Sequence, residues 1–208
     1  MHFVCWGMER RSRVERIREY VLFVCEFLKQ PIITGAIAPS SPWLAELMTE
    51  ELGLNDADTI IELGPGTGAF TRVIARKARP EALVLAIESN PSLAECLRTQ
   101  FSRVMIIHDS AERLAAHLAA ADRTSADCII SGIPWAGFPR EHQERLLSAV
   151  VSGLRPGGRF ATFAYINAAW LPPGKRFRTM LISSFRRVTV TKTEWRNVPP
   201  AFVYRCEK

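Results

Sequence analysis

Thr59-Ile-Ile-Glu-Leu-Gly-Pro-Gly-Thr-Gly68 is the stretch on which the fold turns. An apolar, strand-forming run at 59–63 meets a glycine loop at 64–68, residues 69–78 follow with helical character, and a second apolar run occupies 82–87. That order is a βαβ unit with its glycines where strand becomes helix, the position at which they permit a tight turn and let a ligand approach the backbone. Further along, apolar runs at 104–107, 127–131 and 159–165 alternate with helical stretches at 91–101, 111–121 and 139–153, which predicts an open parallel sheet. The end of the chain differs. Runs at 185–193 and 202–206 are joined by Trp195-Arg-Asn-Val-Pro-Pro200 with no helix between, and they read as an antiparallel pair completing seven strands. The expected fold class is α/β, Rossmann-like and mostly parallel.

Two parts are expected, an N-terminal arm at 1–30 and one domain at 31–208. In the arm, Val14, Ile17, Val21, Val24 and Leu28 form a helical stripe, while Arg10, Arg11, Arg13, Arg16 and Glu19 lie largely off it. A basic amphipathic helix ending at Pro31 either lies in a membrane interface or packs on its parent domain. Beyond it, Ser41 is placed to cap a helix that has Pro42 at its first position and runs to about residue 52.

The 208 residues carry 27 Lys and Arg against 21 Asp and Glu, unevenly spread. Residues 1–30 hold six bases and four acids, 31–171 hold 12 and 15, and 172–208 hold nine and two. The middle is mildly acidic and the ends basic, which suits an anionic partner such as nucleic acid or a lipid surface. Five cysteines without C-x-x-C spacing signal neither a zinc site nor a disulfide framework, and a reducing cytoplasm fits them. The opening residues do not have the order of a secretory leader, and no window is apolar enough to span a membrane.

The glycine loop alone is ambiguous, since Gly64, Gly66 and Ala69 also satisfy a looser dinucleotide fingerprint with Glu88 at the ribose distance. Three features separate the readings. Glu62 stands just before the turn, where a carboxylate suits a ligand bearing an ammonium group better than a pyrophosphate. Asp109 ends the third strand as Glu88 ends the second, one placed for an adenine amine and the other for ribose hydroxyls. The antiparallel ending is the third.

With these features the sequence resembles the class I methyltransferases that use S-adenosylmethionine, over nearly the whole span from Thr34 to Tyr204. The resemblance implies a cofactor site built from Glu62, Gly64, Pro65, Gly66, Thr67 and Gly68 around the methionine part, Glu88, Ser89 and Asn90 at the ribose, and Asp109, Ser110 and Ala111 at the adenine. Thr34 and Ser40 are expected to cover the cofactor. Ser131-Gly-Ile-Pro-Trp135 matches the loop that faces the methyl acceptor, with Ser131 and Gly132 toward the cofactor and Ile133, Pro134 and Trp135 toward the substrate.

The stretch from Ile60 to Thr71 is similar to the ribosomal RNA adenine dimethylases. Those enzymes, however, place an asparagine in the acceptor loop to accept a hydrogen bond from the exocyclic amine, and here that position is Gly132. They also carry an RNA-holding helical domain that the runs read above do not include, so RNA is a disfavoured partner. The sequence is more similar to the bacterial phospholipid N-methyltransferases of the phosphatidylethanolamine type, on Phe27-Leu-Lys, Thr34-Gly-Ala-Ile-Ala-Pro-Ser40, Ser131-Gly-Ile-Pro134 and the hairpin from Trp195 to Tyr204. That likeness implies methyl transfer to a head-group amine, phosphatidylethanolamine first, with ornithine lipid or rRNA adenine as alternatives. It also implies a soluble enzyme attached peripherally to the inner face of the cytoplasmic membrane. Trp135 is expected to set an indole face against the acceptor and Tyr165 to receive the amine proton or a hydrogen bond from it. Asn167 lies beside the acceptor pocket, and Lys175, Arg176 and Arg178 are placed for a lipid phosphate.

Overall fold

The computed structural model describes residues 40–208; the expected amphipathic arm and Thr34 lie outside the described residues. Ser41 caps helix α1 (Pro42–Thr49), its side chain accepting from the Leu44 amide, with Pro42 at the first position as expected, although the helix ends before residue 52. Then follow β1 (Thr59–Leu63), α2 (Ala69–Lys77), β2 (Leu83–Glu88), α3 (Pro91–Gln100), β3 (Met105–His108), a 3-10 turn at Ala111–Arg113, α4 (Leu114–Ala120), β4 (Ala126–Ser131), a second 3-10 turn at Trp135–Gly137, α5 (Arg140–Gly153), β5 (Leu154–Tyr165), α6 (Ile166–Ala169), α7 (Pro172–Ser184), β6 (Arg187–Val190) and β7 (Ala201–Glu207).

The seven strands form one sheet in the order β3-β2-β1-β4-β5-β7-β6. The first five run parallel, while β7 pairs antiparallel with β5 and β6 with β7, which is the expected mixed sheet. Every residue of β1 is buried, as an inner parallel strand covered on both faces requires. One face is covered by α1, α2 and α3. The other carries a core in which Leu63, Ile87 and Ile129 meet Leu114, Leu147, Val150, Phe177 and Leu181 from α4, α5 and α7.

Helix α7 occupies a stretch read from sequence only as a basic cluster. Its opening Pro172-Pro173-Gly174 looks like a breaker, yet proline is tolerated in a first helical turn, and Gly174, Phe177 and Leu181 supply a buried stripe at helical spacing. Strand β5 starts five residues earlier than its apolar run, at Leu154, passing through a left-handed Gly157 and a register irregularity opposite Ala126 and Cys128. The Val198–Pro199 peptide in the β6–β7 connection is cis.

Candidate active site

Strand order reverses between β1 and β4, and in open α/β sheets ligands bind outside the carboxyl ends of the strands at such a point. The glycine loop leaves β1 here with Gly64, Gly66 and Gly68 at φ of 67°, 57° and 82°, the left-handed region that favours glycine. Among the described residues, the space beside Gly66 that a side chain would fill is open. Gly68 has none, because a Cβ would come within 3.0 Å of the Phe101 ring. The loop is closed by the Gly68 amide donating to the Pro65 carbonyl at 2.9 Å, with Thr67 between them.

Beneath the loop, Glu62 is wholly buried on β1, and neither carboxyl oxygen has a hydrogen-bond partner among the described residues. Burial pushes its carboxyl up to about 8, nearby Thr71 lowers it, and the Glu88 charge adds to the rise. The Thr71 hydroxyl on α2 is likewise buried and has no partner among the described residues. A buried, unsatisfied acid under an open glycine cradle fits a ligand that brings a cation, since its arrival would supply the missing partner.

Glu88, at the end of β2, accepts from the Gly66 amide at 3.0 Å through one oxygen and from the Asn90 amide at 2.9 Å through the other. Burial raises its carboxyl above the usual range against the pull of those amides. Asn90 also caps α3, accepting from Ser92 and Leu93, and Ser89 stands exposed beside it. One strand further, Asp109 is held below the usual carboxylate range, first by the Ser110 amide and then by Arg113 and His117, each 2.9 Å away. Ser110 opens the 3-10 turn at Ala111. Glu62, Glu88 and Asp109 thus end three neighbouring strands on one edge.

The loop at 131–135, expected to face the methyl acceptor, leaves β4 in direct contact with the glycine loop. The Gly132 amide donates to the Leu63 carbonyl at 2.8 Å, and a Cβ on Gly132 would lie well inside 3.0 Å of the Gly64 carbonyl oxygen. A Cβ on Gly64 would in turn press on Ile133 at 3.1 Å. Ser131 is buried, its hydroxyl accepting from the Ile133 amide and from the Trp135 indole at 3.1 Å.

Trp135 is 2% exposed, stacked on Phe177 at 4.5 Å and edge-on to Phe160. The expected indole face toward an acceptor is therefore corrected: Phe177 of α7 covers it, and Trp135 braces the loop from the core, while Pro134 is half-buried beside it. Gln143, buried on α5, donates to the Trp135 carbonyl and accepts from Arg176 on α7 at 3.0 Å. Sequence reading missed Gln143, which looks like any polar residue of a helix.

Tyr165 ends β5 with its hydroxyl buried and without a partner among the described residues, and burial pushes it up to about 12. Asn167 is exposed on α6, accepting from the Ala168 amide. Lys175 and Arg178 are exposed on the first turns of α7, whereas Arg176 is tied to Gln143. Ser40 is half-buried at the edge of the described residues.

A glycine cradle and strand-end acids meeting at the switch point of a sheet with this antiparallel ending define an α/β enzyme of the class I methyltransferase type. Comparison with known proteins agrees: residues 60–158 match the family described as a methyltransferase domain. The ornithine lipid N-methyltransferase of Singulisphaera acidiphila is 31% identical over 193 residues, covering 91% of this chain and 96% of that one. A ribosomal RNA small subunit methyltransferase A of Acidobacterium capsulatum is 35% identical, but over 41% of this chain and only 29% of its own length. Among solved structures, an O-methyltransferase from Bacillus cereus in complex with SAH superposes with a TM-score of 0.65 over 97% of this chain and all of that one, at 16% identity. The chain belongs to the S-adenosylmethionine-dependent methyltransferases, and S-adenosylmethionine is its cofactor.

Proposed function

We propose that this methyltransferase acts on the head-group amine of a membrane lipid, an ornithine lipid first and phosphatidylethanolamine second. The observation that carries the reading is Gly132, where the Gly64 carbonyl leaves no room for any side chain. An adenine amine has its lone pair in conjugation and needs a side-chain acceptor to draw it out of plane. An aliphatic amine has a localised lone pair once it loses a proton, so a bare loop suffices. The match to an ornithine lipid enzyme over 91% of this chain supports that acceptor, and the Ser-Gly-Ile-Pro loop supports phosphatidylethanolamine.

S-adenosylmethionine supplies a methyl group on a sulfonium, open to in-line displacement. Glu62 and the backbone of Gly64, Pro65, Gly66, Thr67 and Gly68 would hold its amino-acid part, Glu88 its ribose and Asp109 its adenine. Ser131 and Gly132 hold the acceptor loop against that cradle, so that two reactants meet in one geometry. Tyr165 keeps its proton across the ordinary pH range, and so would accept a hydrogen bond from the amine and aim its lone pair instead of removing the proton. The amine sheds that proton to water before transfer, and the methylated product sheds another before each further round. Lys175 and Arg178 would meet the lipid's anionic group.

The test is radiolabelled methyl transfer to vesicles containing ornithine lipid or phosphatidylethanolamine, with ribosomal RNA in parallel. Label in the lipid phase is expected, stronger with ornithine lipid; label in RNA alone overturns the reading.

A further inference from the structure

We infer that the carboxyl edge of the sheet beside β5 carries a docking rim, formed by Trp43, Trp170, Leu171, Trp195 and Val198, that seats on an anionic lipid bilayer; the inference rests on the lipid reading above. These five side chains are between 47 and 72% exposed, while Trp135 is in the core. The fold gathers them. The β6–β7 connection carrying Trp195 and Val198 reaches α1 through Asn197, which accepts from the Ser41 amide at 2.9 Å, and through Arg196, which lies 4.6 Å over the Trp43 ring. The same connection reaches α6 through the Pro200 carbonyl, which accepts from the Ile166 amide at 3.0 Å. Trp170 and Leu171 follow one turn later, between α6 and α7.

An exposed apolar patch rimmed by polar groups marks an interaction surface, and tryptophan is the residue that settles at the head-group level of bilayers. The charge around it selects the partner. Lys175 and Arg178 on the first turns of α7 and Lys192 after β6 are exposed cations, while Arg196 is balanced by Glu194 and Arg176 is held by Gln143. The patch is therefore apolar within a cationic collar, the complement of an anionic membrane and not of another copy of the same cationic face. Seated this way, the ends of β4 and β5 face the bilayer, and a lipid amine reaches the acceptor loop without its acyl chains leaving the membrane.

The test uses the full chain and vesicles of phosphatidylglycerol and phosphatidylcholine, which contain no methylatable amine. Partition is measured by flotation for the wild type, a rim variant (Trp170→Ser with Trp195→Ser) and a control variant at exposed apolar positions away from the rim (Met105→Ser with Ile182→Ser). The rim variant is expected to lose about tenfold or more in partition, with unchanged thermal melting and unchanged S-adenosylhomocysteine binding by equilibrium dialysis, and the control variant none. Equal partition of rim variant and wild type, or equal losses in both variants, overturns the inference. So does a wild-type dimer in vesicle-free buffer that the rim variant abolishes, which makes the partner a second copy. A blue-shifted difference spectrum between wild type and rim variant without vesicles overturns it too, since the chain would then cover its own rim. Lipid methylation without rim dependence removes this surface and keeps the reaction; rim-dependent binding with no lipid methylated does the reverse.

Discussion

Gly132 shows how a missing side chain can be imposed by a neighbour. The sequence exposes it as a departure from the asparagine of the RNA enzymes, but only the packing gives the cause, the carbonyl of Gly64 in the place a Cβ would occupy. Because the obstacle is backbone, it cannot swing aside, and even alanine forces the two loops apart. Gly132→Ala is expected to cost about 1–3 kcal/mol, the usual range for overpacking, read as a fall in melting temperature with a parallel loss of S-adenosylmethionine affinity by calorimetry. Gly132→Asn, which restores the asparagine, is expected to do the same and to gain no methylation of adenine in RNA.

At the scale of elements, the strands were legible where burial on both faces writes a continuous apolar run, as in β1 and β2, and the glycine loop was legible because its conformation demands its residue type. Helix α7 was hidden by its proline-proline-glycine opening. Its buried stripe has meaning only against Trp135, a partner 42 residues earlier in the chain that periodicity cannot find. Gly174 sets the approach of α7 to α6, because a Cβ there would lie within 3.0 Å of the Ala168 carbonyl and of Ala169. Gly174→Ala is accordingly expected to destabilise the protein by about 1–3 kcal/mol in denaturant titration and to lower methyl transfer by loosening the cover over Trp135. Melting unchanged within error would show that α6 gives way freely.

For the whole molecule, the strand-end acids were legible as a set because a parallel sheet brings the ends of successive strands to one edge. Their protonation was not legible, since burial depends on everything packed above them. Glu62 ionises near 4.5 when unfolded and near 8 in the folded protein. Between those values the folded state keeps a proton that the unfolded state has released, so stability falls as pH rises across that window and levels off above it. Glu88 shifts in the same direction. Melting of the ligand-free protein from about pH 5 to 9 is expected to show this decline, and Glu62→Gln to make it shallower. An unchanged slope in the variant would mean that Glu62 finds a partner in solution.

The Glu88 carboxylate, shared between the amides of Gly66 and Asn90, ties the glycine loop to the start of α3. A hydroxyl arriving at that carboxylate competes with both amides, so the resonances of two backbone protons report its arrival from opposite walls of the cleft. The protein thus carries a pair of native spectroscopic probes, by which occupancy of the proposed ribose position can be followed without a label near the reacting atoms.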